Sequence, residues 1–241
     1  MIVQARMTST RLPGKVLKQV LGKPLLEYQI ERLRRVKLVD AFLIAATVND
    51  TDEPIVELCR RLSVPLFRGP EDDVLARYHG AAAAQHADTV VRVTSDCPII
   101  DPAVIDETIR YYLDGQGDYD YASNGLERSY PLGMDTEVFS FRALHEAFVE
   151  ARDPAEREHV TAFIYRRPQR YRLGNVALAP NQAHHRWTVD TAEDFELISR
   201  IISTLHPRQP QFSMSDVLNL LQANPDWVAI NAHVQQREIS R

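Results

Sequence analysis

Short runs rich in β-branched residues alternate with segments of helical period along almost the whole chain, and this alternation most narrows the fold. Strand-length runs fall at 1–4, 41–46, 65–67, 89–93, 136–139 and 172–178. Helical spacing covers 24–35, 52–62, 72–86, 102–115, 143–151, 156–166, 192–204 and 215–222. Strand, helix and strand in succession close most simply as parallel pairs with crossover helices, so the pattern predicts an α/β fold with a mostly parallel sheet. Helix starts carry supporting signals: Pro24, Asp101-Pro102, and Asp190-Thr191 ahead of Glu193 and Asp194. No repeat or linker interrupts the 241 residues, which fit one domain, 1–241, with halves 1–115 and 116–241 sharing one sheet. The first strand has three residues before Gln4, fewer than the usual ~5–6. Either it is a brief strand or the true start lies upstream; in the latter case a chain extended upstream is expected to melt higher.

Composition excludes several classes. A net charge of −5 and a pI near 5.9 give no bulk attraction to nucleic acid, so any polyanion site must be local. Cys59 and Cys97 form no metal-type pair or disulfide framework. No apolar run nears the ~20 residues of a membrane span, and no signal peptide precedes the first strand, so the expected location is cytoplasmic, without a membrane partner.

The loop after the first strand, Gln4-Ala5-Arg6-Met7-Thr8-Ser9-Thr10-Arg11-Leu12-Pro13-Gly14-Lys15, sets Arg6, Arg11 and Lys15 among small residues. Open α/β sheets bind ligands beyond the carboxyl ends of their strands, and backbone N–H groups with guanidinium and ammonium groups suit phosphate oxygens there. Gly14-Lys15 is not a P-loop: position 9 is Ser rather than Gly, and position 16 is Val rather than Ser or Thr. A dinucleotide fingerprint is absent too.

Two later runs end in a carboxylate. Thr89 to Thr94 leads through Ser95 to Asp96, with Pro98 blocking continuation, and Arg186 to Val189 leads to Asp190 before a helix. Each Asp can be a turn former or helix cap. Brought together beside a phosphate loop, the two would suit Mg²⁺, which takes one or two carboxylates plus phosphate oxygens and water. In Tyr130 to Val138, Asp135 and Glu137 alternate onto one strand face, suited equally to solvent or to substrate hydroxyls. In Glu156 to Thr161, helical spacing puts Arg157 and Thr161 on one face. The adjacent His184 and His185 lack zinc-site spacing. Glu71, Asp72 and Asp73 suit a helix N-terminus, which leaves Arg68 and Arg77 unexplained.

Taken together, Gln4 to Lys15, Gly22 to Leu26, Arg92 to Pro98, Gly133 to Phe139, Glu158 to Thr161 and Asp190 to Asp194 resemble sugar-acid cytidylyltransferases such as 3-deoxy-manno-octulosonate cytidylyltransferase. They are closer still to the SpsF-like (spore-coat-polysaccharide-type) cytidylyltransferase family, over nearly the whole chain. The resemblance implies a Rossmann-like three-layer α/β/α sandwich with a mostly parallel mixed sheet, of the nucleotide-diphospho-sugar transferase (GT-A-like) kind. It implies CTP and Mg²⁺ as co-reactants, a small acidic sugar as partner, and a homodimer. By motif, Arg11 and Lys15 would grip the triphosphate, and Gln4, Ala5, Arg6 and Ser9 would line the nucleotide with Arg77 and Ser95. Asp96 and Asp190 would hold the metal, and Arg11, Lys15, Asp96 and Asp190 would carry the catalysis. Tyr130, Asp135, Glu137 and His159 would face the acceptor, where the chain departs from the octulosonate enzymes.

The implied reaction moves CMP from CTP to a nonulosonic or octulosonic type of sugar acid, releasing pyrophosphate, for surface glycan biosynthesis. The alternatives are a GT-A glycosyltransferase using a nucleotide sugar, a cytidylyltransferase for a phosphonate or other non-sugar acid, and a non-catalytic nucleotide-binding module. A glycosyltransferase would not need the Arg11 and Lys15 grip on a third phosphate.

Overall fold

The computed structural model describes residues 1–115 and 117–236. Gln116, where the second half is expected to begin, and 237–241, the end of the expected domain, lie outside the described residues. The chain runs through β1 (Ile2–Gln4), β2 (Gln19–Val20), β3 (Lys23–Pro24), α1 (Leu25–Leu33), β4 (Leu43–Thr47), α2 (Glu53–Leu62), β5 (Leu66–Gly69) and α3 (Val74–Ala84). It continues through β6 (Thr89–Thr94), α4 (Pro102–Asp114), β7 (Tyr121–Ser123), β8 (Glu137–Ser140), α5 (Phe141–Glu150), α6 (Pro154–Glu158) and α7 (Ala162–Tyr165). It closes with β9 (Leu173–Asn175), α8 (Ala192–Leu205), α9 (Met214–Ala223) and α10 (Pro225–Val228).

Seven strands form one mixed sheet in the order β5-β4-β1-β6-β8-β7-β9, and β8 alone runs against the others. Strands of both halves thus share the sheet, and the Rossmann-like α/β class read from the sequence is the one observed. Period-two alternation sorts each strand between two cores. Val3, Ile44, Val91 and Val138 pack with α1, α2, α4 and α8, whereas Ile2, Leu43, Val90 and Phe139 pack with α3, α5 and α7. Helices therefore cover both faces, giving three layers.

The three residues of β1 are paired on both edges, Ile2 to Gln4 matching Leu43 to Ala45 on one side and Arg92 to Thr94 on the other. Backbone bonds extend that ladder, with Leu43 donating to the Met1 carbonyl at 3.1 Å and Ala5 to that of Ala45 at 3.1 Å.

Three local expectations change. The helix expected over 156–166 is two short helices, α6 and α7, parted where Val160 takes φ 50°. That left-handed backbone is uncommon for a β-branched residue. Arg157 then reaches Asp73, with Nε at 3.0 Å, while Thr161 donates to Glu137, so the two do not share a face. Strand β7 and the β2–β3 hairpin are too short to leave a pattern in the sequence. Finally, Asp190 does not cap α8; Thr191 does, in a capping box with Asp194.

Candidate active site

The sheet order brings the carboxyl ends of β1, β6 and β7 beside the start of β8, because β8 is reversed. Gln4 lies in register with Thr94, Arg92 with Glu137, and Glu137 with Ser123. Residues far apart in sequence thus meet along one edge.

The cation loop leaves β1 at that edge. Gly14, at φ 67°, donates its N–H to the Met7 carbonyl at 2.9 Å and closes the loop. Buried Asp52 anchors it from below, accepting from the Met7 N–H at 2.7 Å and from the Thr47 N–H and hydroxyl at 2.9 and 2.6 Å.

Lys15 and Arg11 then reach the two strand-end acids. The Lys15 ammonium donates to Asp96 at 2.8 Å and to Asp190 at 2.7 Å, while Arg11 pairs with the other Asp190 oxygen at 2.8 Å. Burial opposes ionisation of Asp96. The Lys15 charge and hydrogen bonds from Lys15, Thr94 and Cys97 outweigh it and hold the carboxyl down at about 2. Burial likewise opposes the Lys15 charge, yet Asp96 and Asp190 raise its pKa. The Asp96 carboxyl and the Lys15 amine are therefore both charged.

Asp190 reaches this place by a crossing segment rather than a sheet strand. Val189 donates its N–H to the Asp96 carbonyl at 2.8 Å, and Trp187 to that of Leu132 at 2.6 Å. Gly133 lets the segment approach: a Cβ there would fall 2.7 Å from the Trp187 carbonyl carbon, and φ is +108°. Arg186 holds Asp190 at 2.9 Å and Asp194 at 2.8 Å, and Asn231 donates to Asp194 at 2.8 Å.

Asp96 and Asp190 fit a divalent cation, since both converge on the Lys15 ammonium, with Asp190 also held by Arg11 and Arg186. No group of three or more His, Cys, Asp or Glu side chains suited to a metal occurs among the described residues. Such a site therefore matches an ion completing its shell with phosphate and water better than a closed protein cage.

Gln4, Ala5, Arg6, Ser9, Arg77 and Ser95 line the same cavity of about 250 Å³ as Arg11, Lys15, Asp96 and Asp190. Arg6 is loosely paired, 3.7 Å from Glu71. Arg77 is almost wholly buried, its Nη1 donates to the Pro70 carbonyl at 3.1 Å, and burial lowers its pKa.

A second cavity of about 490 Å³ adjoins it, sharing Gln4, Arg92, Thr94, Asp96, His159 and Asp190 as walls. Asp135 and Glu137 line it. Glu137 accepts from Arg92, Thr161 and the Tyr121 hydroxyl, the last at 2.7 Å. Asp135 pairs with Arg128 and accepts from the Gly133 N–H at 2.8 Å. At His159, burial lowers the imidazole pKa against the pull of Glu158, which leaves the ring neutral at physiological pH. Tyr130 is the exception among the candidates. It is buried in the core with its hydroxyl on Glu107 at 2.9 Å and is not among the residues lining either cavity.

Other wall residues were not read from the sequence: Arg92, Tyr121, Thr161, Arg128 and Gln236, with Asp52 beneath. Arg92 had a visible signal, a lone charge inside a β-branched strand. Gln236 had none, because its place depends on how the chain returns after α10, where it accepts from Arg186 at 2.7 Å.

Comparison with known proteins identifies the family. A model of the cytidylyltransferase family matches residues 1–222. The chain is 34% identical over 233 residues to the spore coat polysaccharide biosynthesis protein SpsF of Bacillus subtilis, covering 93% of this chain and 94% of that one. It is 36% identical to the 3-deoxy-manno-octulosonate cytidylyltransferase of Geobacter metallireducens, over only 45% of this chain and 42% of the other. The structure of a cytidylyltransferase from Leptospira borgpetersenii superposes with a TM-score of 0.90 at 30% identity, covering 100% of this chain and 98% of that one. By sequence and fold, the chain belongs to the SpsF-like cytidylyltransferase family.

Proposed function

We propose that the protein transfers CMP from CTP to a sugar acid and releases pyrophosphate, in the making of a surface glycan. The observation that carries this reading is the contiguity of the two cavities across Asp96, Asp190 and His159. An oxygen held on the acceptor side can thereby meet a phosphate held on the other.

In this reading the acceptor oxygen forms a bond to the α-phosphorus of CTP. The bond from that phosphorus to the bridging oxygen breaks, and pyrophosphate carries away the electron pair. Arg11 and Lys15 turn from the carboxylates to the departing phosphates, where fixed positive charge offsets the charge that develops. Gln4, Ala5, Arg6, Ser9, Arg77 and Ser95 hold the nucleotide. Mg²⁺, held by Asp96 and Asp190, would neutralise phosphate charge and align the α-phosphate. His159 lines both cavities, and its neutral ring can accept the proton of the attacking hydroxyl. Asp135 and Glu137 receive acceptor hydroxyls, and Gln4 is braced by Arg92 at 3.1 Å. Tyr130 acts from the core, supporting the segment that carries Asp135.

The test is a pyrophosphate-release assay with CTP and Mg²⁺ against nonulosonic, octulosonic and phosphonic acids. Release with a sugar acid, and a CMP-linked product, is the expected result. Release only with a phosphonate would move the acceptor class, and sugar transfer from a nucleotide sugar without pyrophosphate would overturn the reaction.

A further inference from the structure

Arg6, Arg11, Lys15, Arg77 and Arg92 put positive charge into the wall of the nucleotide-side cavity. The acids in the same wall, Asp96, Asp190 and Glu158, differ in what engages them. Asp96 and Asp190 are held by Lys15, and Asp190 also by Arg11 and Arg186. Glu158 is exposed, and among the described residues no hydrogen bond or ion pair engages its carboxylate. Its two predecessors on α6 are fixed elsewhere. Glu156 accepts from Arg167 at 2.6 Å, and Arg157 donates to Asp73, the N-cap of α3, with Nε at 3.0 Å. These ties set the end of α6 against the start of α3, so Glu158 shares the cavity wall with Val74 and Arg77.

A free carboxylate repels phosphate oxygens, so in a cavity that receives a triphosphate it must face an uncharged part of the ligand. In a nucleotide that part is the base or the ribose, and chain geometry decides between them. Glu158 directly precedes His159, which lies where the two cavities join, beside Asp96 and Asp190. Consecutive Cα atoms are only ~3.8 Å apart. In the reading above, the α-phosphate sits at that junction. The ribose is the uncharged part bonded to it, through O5′, and the base lies one sugar further off. The 2′- and 3′-hydroxyls are neighbouring donors, and a carboxylate offers two acceptor oxygens and no donor. Acidic side chains read ribose hydroxyls in dinucleotide-binding folds by the same chemistry.

We propose that Glu158 reads the ribose: its carboxylate accepts from both hydroxyls of the cis-diol and selects a ribonucleotide over a deoxyribonucleotide. The proposal rests on the nucleotide-side reading above and deepens it.

The test is equilibrium binding by titration calorimetry, with Mg²⁺ and without acceptor, of CTP, 2′-deoxy-CTP, 3′-deoxy-CTP, UTP and pyrophosphate. The parent is expected to bind CTP at least ~10-fold tighter than either deoxy analogue, each of which leaves one carboxylate oxygen without its donor. Glu158→Gln, at an exposed position, is expected to keep the native circular dichroism spectrum. Because a hydrogen bond to a charged group is roughly twice as strong as a neutral one, it should narrow the preference to within ~3-fold by weakening CTP alone. The deoxy analogues, and pyrophosphate, which has no ribose, should bind Glu158→Gln at least as tightly as they bind the parent. A parent that binds CTP and its deoxy analogues equally overturns the ribose role and leaves the nucleotide-side reading standing. Equal weakening of CTP and the deoxy analogues in Glu158→Gln makes the residue structural and overturns the proposal. A changed ratio of CTP to UTP affinity, with the ribose preference intact, makes it a reader of the base and overturns the proposal too. No saturable binding of CTP to the parent overturns both the nucleotide-side reading and the ribose role.

Discussion

On the nucleotide side of the cleft, cations reach from a loop to carboxylates on other elements; on the acceptor side, charges pair across neighbouring strands in register. Lys15 bridges to Asp96 and Asp190 over 81 and 175 residues of sequence, Arg11 joins it on Asp190, and in the proposed reaction phosphates replace these partners. Arg92 and Glu137 sit opposite each other on β6 and β8, with Tyr121 and Thr161 completing the Glu137 shell. Cations that can change partner would suit, in the proposed reaction, a triphosphate that arrives and leaves as pyrophosphate. A satisfied, nearly neutral network suits the recognition of hydroxyls, where shape and hydrogen-bond direction discriminate.

Substitutions can break or sharpen this contrast. The largest effect is expected from Asp96→Asn and Asp190→Asn, which should cut pyrophosphate release by roughly 10²–10³ at saturating Mg²⁺ while the circular dichroism spectrum stays native. Near-normal turnover in either variant would remove the metal assignment. On the acceptor side the loss should be of stability instead. Arg92→Met leaves the half-buried Glu137 carboxylate without its cation, a change expected to cost ~3 kcal/mol in chemical denaturation. The double variant Arg92→Met/Glu137→Leu should regain much of that stability without regaining activity. Full activity in the double variant would mean that the pair does not shape the acceptor site.

The Lys15 bridge also sets a pH dependence. The Asp96 pKa is depressed in the folded protein, so its contribution is complete above the unfolded value of 3.8 and is lost as pH falls towards about 2. In Lys15→Met that loss should begin at a higher pH, read as an upward shift of the acid-unfolding midpoint. An unchanged midpoint would detach Lys15 from Asp96. The smallest effect is expected from Arg6→Ala. Arg6 is only loosely paired with Glu71, and the KM for CTP should rise a few-fold with stability within ~0.5 kcal/mol of the parent.

The site was unevenly legible. The cation loop is one continuous segment, so its chemistry could be read directly, and each acid ends a recognisable run. Glu137 and Asp135 were found as charges alternating beside apolar residues. Arg92 could have been found in the same way. Tyr130 shows the reverse error, since a tyrosine in a substrate-side motif says nothing about which way its ring faces. Asp52, Tyr121 and Gln236 could not be found at all, because each reaches the site from an element whose place depends on packing elsewhere.

The amino-acid sequence alone determined the alternation of strand and helix, the cation loop and its position after the first strand, and the family. These are local properties, written in period and residue type along contiguous stretches. Only the tertiary structure decided that Asp96 and Asp190 meet on one lysine, that the expected helix over 156–166 breaks at Val160, and that two cavities adjoin across Asp96, His159 and Asp190. The reason is that strand order, the reversal of β8 and the close passage at Gly133 come from how two cores bury the sheet's faces together. No single segment encodes that arrangement, because its stability is shared among residues brought together only by folding.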